Sequence, residues 1–138
     1  MTVISGTVAK GLGGATESLS LQQLPFFKSK GLPATERLHQ GTINLNISPK
    51  KFRVLSLDYF FKDIKWEKNR IEDFGFIKLE SLTHQGIVYD QAGYIYIPYG
   101  SPHVDNSSQF EITSNFISSL YPGSIIEISI QEGKLEIS

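Results

Sequence analysis

Isoleucine recurs at every second position of Ile126-Glu127-Ile128-Ser129-Ile130, and such a segment separates an apolar from a polar face only as a pleated strand. The same period of two runs through Tyr94-Ile95-Tyr96-Ile97 and Val54-Leu55-Ser56-Leu57-Asp58. It is looser in Thr2-Val-Ile-Ser-Gly-Thr-Val8, Ile43-Asn-Leu-Asn-Ile47 and Phe74-Gly-Phe-Ile-Lys-Leu79. β-Branched and aromatic residues fill these segments, as a half-buried sheet surface requires. Two hairpins are expected. One joins Ile126–Ile130 to Leu135–Ile137 across Gln131-Glu132-Gly133-Lys134, and the other turns at Asp90-Gln91-Ala92-Gly93 between Gly86–Tyr89 and Tyr94–Ile97.

Helical signal is sparse. Thr16–Lys30 offers capping residues and apolar Leu21, Leu24 and Phe27, with Pro25 limiting any helix. Glu111–Tyr121 is expected to hold a short helix around Phe116, Ile117 and Leu120, stopped by Pro122-Gly123. Many short strands with one or two short helices indicate a mainly β chain folded as a small barrel or sandwich. The 138 residues, without internal repeat or linker, read as a single domain over 1–138.

Composition removes several kinds of chemistry. Without cysteine there is no disulfide framework, thiolate zinc site or cysteine nucleophile. Thirteen basic against fourteen acidic residues leave a net charge of −1, which argues against nucleic acid as the main partner. No apolar run reaches the roughly 18 residues of a membrane span, and the start of the chain lacks the pattern of a signal peptide. A cytoplasmic protein with neither membrane nor nucleic-acid partner, monomeric or a weak homo-oligomer, is the expectation. There is no phosphate-binding Gly-Lys-Ser/Thr loop and no G-x-S-x-G elbow, and His39, His84 and His103 are too far apart for a zinc motif.

Three features carry possible chemistry. Gly11-Leu12-Gly13-Gly14 follows the first strand; its backbone N–H groups can approach a phosphate closely, although a plain turn has the same composition. In Gly41-Thr42-Ile43-Asn44-Leu45-Asn46, the side chains of Thr42, Asn44 and Asn46 share one strand face. That oxygen-bearing stripe suits a hard cation or substrate hydroxyls; a solvent-facing strand side is the plainer alternative, but strands are poor in Asn. The third is the loop Pro98-Tyr99-Gly100-Ser101-Pro102-His103, followed by Phe110-Glu111-Ile112. Glu111 either stands at a pocket edge or forms the polar side of an alternating segment. Tyr89, Tyr94, Tyr96 and Tyr99 either stack on a flat ligand or serve as ordinary strand residues. Trp66 with Lys62, Lys65, Lys68 and Arg70 reads as a solvated face balanced by neighbouring acids.

In this order, these features resemble the archaeal-type CTP-dependent riboflavin kinases, which are cradle-loop β-barrels. Gly11-Leu12-Gly13-Gly14-Ala15 is similar to that family's G-L-G-x-G loop, and Gly41-Thr42-Ile43-Asn44-Leu45 to its G-T-L-N-V motif. Phe74-Gly75, Pro98-x-x-Ser101, Glu111-Ile112 and, at the end, a Gly turn with a last β-hairpin (Gly123-Ser-Ile-Ile-Glu-Ile-Ser-Ile) follow in the family's sequence order. The resemblance implies a closed six-stranded-type barrel that makes FMN from riboflavin, using CTP or another nucleoside triphosphate and Mg²⁺. Residue by residue, it assigns the nucleotide to Lys10, Gly11, Leu12, Gly13, Gly14 and Ala15 and to Ser114, Asn115, Phe116 and Ile117. It assigns Mg²⁺ to Thr42 and Asn44, and the flavin to Ser101 and Glu111, with Glu111 as candidate catalytic base. Ala15 and Thr16-Glu17 depart from the family loop, where a glycine and a basic residue stand. A diverged barrel that binds flavin or nucleotide without turnover is the alternative.

Overall fold

The first strand shows how the sequence pattern becomes a wall. In β1 (Thr2–Ala9), Ile4 and Val8 are buried on one face while Val3, Ser5 and Thr7 lie exposed on the other. The computed structural model describes residues 1–9, 23–38, 42–67, 70–99, 107–115, 117 and 120–138. The strands that follow are β2 (Ile43–Asn46), β3 (Phe52–Val54), β4 (Tyr59–Glu67), β5 (Arg70–His84) and β6 (Ile87–Pro98). After them come β7 (Gln109–Ser114), β8 (Ile125–Ile130) and β9 (Leu135–Ile137).

Strands β5, β6, β7, β2, β1 and β8 pair antiparallel in that order, and β8 returns to β5, closing a six-stranded barrel. Long β5 makes the closure possible. Its first half pairs with β4 and its last turns to β8 through Ser81–Ser129, Leu82–Ile128 and Thr83–Glu127, while β6 runs along the other edge. Closure leaves no open edge on the ring, which is how small β proteins avoid edge-to-edge association. The interior is filled by alternating aliphatics, among them Leu45, Ile77, Leu79, Ile95, Ile112 and Ile128, all essentially inaccessible.

A second apolar layer covers part of the outer surface. The six-residue helix α1 (Leu24–Ser29) begins with Pro25 in its first turn, where proline costs no hydrogen bond. A helix so short is unstable alone. Phe27 anchors it, fully buried, with ring centroids 4.9 Å from Phe74 and 5.0 Å from Phe76 in edge-on contact. A 3₁₀ turn, Thr35–Arg37, follows, and Leu32 and Leu38 join the same cluster.

Four sequence expectations need correction. The turn between β5 and β6 is at Gln85-Gly86, both at positive φ, with His84 opposite Ile87. That is the geometry of a two-residue hairpin. Asp90–Gly93 is instead a bulge inside β6: Leu79 faces Gly93 but Ser81 faces Asp90, and Gln91 and Gly93 take positive φ. Second, β8 and β9 do not form a hairpin. Both edges of β8 are occupied by β1 and β5, so β9 pairs with β3 in a separate two-stranded sheet. Third, Glu111 to Ser114 is strand, not helix, because β7 completes the barrel between β6 and β2. Trp66 is also buried, donating its indole N–H to Glu72 at 3.3 Å, rather than lying on a solvated face.

Candidate functional site

Strand β7 sits between β2 and β6, and its middle residue Glu111 faces Asn44 on one side and Tyr96 on the other. Opposed residues of antiparallel strands share a face, so Asn44, Glu111 and Tyr96 form one row across three strands. Their neighbours Leu45, Ile112 and Ile95 point into the core, which puts the row on the barrel's outer face. It is nonetheless buried: Glu111 is 4% and Asn44 5% exposed.

A buried carboxylate needs partners. Thr42, half-buried just before β2, donates its hydroxyl to Glu111 Oε1 at 2.9 Å. Gln109 donates its amide Nε2 to Asn44 Oδ1 at a long 3.4 Å. Asn46, the third member of the oxygen stripe, is used locally, its Oδ1 accepting the Ser48 backbone N–H at 2.8 Å. The stripe therefore divides into two residues that meet Glu111 across the sheet and one that shapes a turn.

Thr113 lies two residues beyond Glu111 on the same face and opposite Tyr94. It is 0% exposed, and its hydroxyl has no hydrogen-bond partner among the described residues.

A cleft of about 250 Å³ opens at the end of this row. The β6–β7 ladder stops at Tyr96–Glu111; beyond it Ile97 and Pro98 stay with β5, while Gln109 and Phe110 stay with β2. The two strands splay, and β3 with Phe52, Arg53 and Val54 closes the wedge on a third side. Its walls are mainly Phe52, Val54, Ile97, Pro98, Tyr99 and Phe110, with Glu111 and Gln109 supplying the polar end. Apolar walls and a few convergent polar groups are the usual make-up of a small-molecule site. Burial first, and the Asp73 carboxylate second, raise the pKa of the Tyr99 phenol above its ordinary value.

The structure brings Thr42, Asn44 and Glu111 together, though 69 residues separate Thr42 from Glu111. It places Ser114 elsewhere: buried, with its hydroxyl donating to the Asn115 carbonyl at 3.1 Å. Asn115 lines a second, smaller cleft of about 150 Å³ beside Ala34, Arg37 and Lys78, and Ile117 packs in the barrel core. Lys10 to Ala15, Ser101 and Phe116 lie outside the described residues. Thr113 carries no sequence signal if Glu111–Tyr121 is a helix, and Gln109 just before it carries none of its own. In a strand reading, Gln109, Glu111 and Thr113 alternate onto one face.

Among the described residues no three His, Asp or Glu side chains gather as a metal cluster. The donors near Glu111 are instead one carboxylate, two threonine hydroxyls and one amide carbonyl. Such a hard, mostly neutral oxygen set fits Mg²⁺, which keeps several waters and shares its ligands with substrate phosphates. No described helix is long and apolar enough to cross a membrane. No protein-family model matches the chain, and a search of curated proteins finds no match.

Proposed function

We propose that the chain is a phosphotransferase that converts riboflavin to FMN, with CTP or another nucleoside triphosphate as donor and Mg²⁺ as cofactor. One observation carries the reading: a buried carboxylate, Glu111, held by Thr42 and opposite Asn44, at the polar end of an apolar cleft. These are the residues through which the sequence resembles the riboflavin kinases. We read the protein as a cytoplasmic enzyme acting on small molecules, monomeric or weakly self-associating, without nucleic-acid or membrane partners.

Phosphoryl transfer asks mainly for positioning and charge neutralisation. The apolar walls of the cleft would take the flat ring and exclude water from the reacting end. Glu111 would orient the terminal ribityl hydroxyl and accept its proton as that oxygen bonds to the γ-phosphorus and the nucleoside diphosphate leaves. Thr42 and Asn44 would hold Mg²⁺, whose chemistry there is to neutralise phosphate charge.

The test is a riboflavin phosphorylation assay with Mg²⁺ and either CTP or ATP, with FMN separated chromatographically. FMN formation that disappears in Thr42→Ala and Asn44→Ala supports the reading. Absence of FMN with both nucleotides, from folded protein at high concentration, overturns it. A second reading, a flavin- or nucleotide-binding barrel without turnover, is favoured by the engagement of Thr42 and Asn44 with protein partners. Ligand binding without FMN formation would select it.

A further inference from the structure

We propose that Thr113 Oγ1 is a further protein oxygen for a divalent cation, beside those of Thr42 and Asn44 and next to the Glu111 carboxylate. The proposal rests on the phosphotransferase reading for its purpose, and on the buried hydroxyl for its evidence.

A hydroxyl taken out of water without a partner costs about as much as a lost hydrogen bond, and native structures rarely leave one so. At this position the cost is avoidable. Valine has nearly the shape of threonine, is at least as well suited to a strand, and would satisfy a fully buried site beside the Tyr94 ring without any polar atom. A threonine here is therefore explained by something its oxygen binds.

The neighbours say what that is. Thr113 follows Glu111 by two residues on the outer face of β7, and Thr42 lies one step beyond the Ile43–Ile112 pair, which sets it across from Thr113. The four side chains thus share one face of two adjacent strands. All four offer oxygen lone pairs, one oxygen carries the only formal charge, and none brings an ammonium, guanidinium or imidazole. Among these four side chains the only formal charge is negative, which favours a cation over a phosphate. Oxygen donors with one carboxylate match Mg²⁺ or Mn²⁺ rather than a softer metal.

The test measures Mn²⁺ binding to the full chain by the loss of the free-ion paramagnetic resonance signal, without flavin or nucleotide, together with thermal unfolding with and without the ion. Thr113→Val is expected to bind Mn²⁺ about tenfold more weakly or worse, because even residues that only orient metal ligands cost that much. Its ion-free melting temperature should equal or exceed that of the parent, and Thr113→Ser should keep the parent affinity. Thr113→Ala serves the same comparison if the valine variant fails to fold. Parent-like Mn²⁺ affinity in the variants lacking the hydroxyl, or no binding by the parent chain at millimolar ion, overturns the proposal. FMN formation with unchanged Mn²⁺ affinity in Thr113→Val would remove this ligand and leave the kinase reading standing. Weakened Mn²⁺ binding without FMN from the parent would do the reverse.

Discussion

The hydroxyl of Thr42 and the carboxylate of Glu111 meet at 2.9 Å on the outer face of the barrel, across the junction of β2 and β7. Neither residue reaches the other unless β7 is a strand, and the contact puts a buried acid at the mouth of an apolar cleft. From that placement follow the tests of function, and from the packing around it those of stability.

Glu111→Gln keeps an oxygen for Thr42 to donate to but cannot accept a proton. FMN formation should fall by roughly 10²–10⁴ in kcat, the usual worth of a positioned acid or base. The melting temperature should change little. A fall in kcat measured beside intact thermal unfolding separates loss of chemistry from loss of fold.

Gly93 lies against the β7 backbone with φ at 147°, and a Cβ there would stand 2.0 Å from the Thr113 carbonyl oxygen. Gly93→Ala must push β6 away from β7 as well as adopt a strained backbone. It should destabilise the protein by about 3 kcal/mol or more, read from the denaturant midpoint. Gly133→Ala, also at positive φ but with open space around it, should cost only about 1 kcal/mol.

Phe27 is the anchor that holds α1 on the sheet. Phe27→Ala should cost about 3–5 kcal/mol in denaturant unfolding, as truncation of a fully buried aromatic does. The near-ultraviolet signal of Tyr94 and Tyr96, which belong to the same cluster, should weaken with it.

Tyr94 has its phenol pKa pushed up to about 12, first by burial and then by Tyr59 and Asp58. Its hydroxyl donates to the Pro33 carbonyl at 2.8 Å, tying the segment after α1 to the sheet. The folded state thus holds this proton more tightly than the unfolded chain, whose tyrosine titrates near 10. Its contribution is fully present below pH 10 and is lost as pH climbs from 10 towards 12. Denaturant midpoints over that window should fall, and Tyr94→Phe should flatten the decline while lowering stability at pH 7.

The strands were largely legible because their signal is local. Alternation in Ile126–Ile130 or Tyr94–Ile97 reports which side chains are apolar, and any sheet that buries one face must follow it. Thr42 and Asn44 stood out for the same reason, as polar oxygens at alternate positions of one short strand.

Partners of a strand are not local. Nothing near Leu135 says that β8 already has two neighbours, and nothing near Asp90 separates a bulge from a turn, since both ask for glycine and positive φ. Phe110-Glu111-Ile112-Thr113 is compatible with a helix or a strand, and only the vacancy between β2 and β6 in the closing ring decides it. Local pattern alone makes this chain a β protein with an oxygen-rich strand and an isolated acid further on. Tertiary structure decided that the acid and the stripe meet, because barrel closure alone assigns each strand its neighbours and so each side chain its partner.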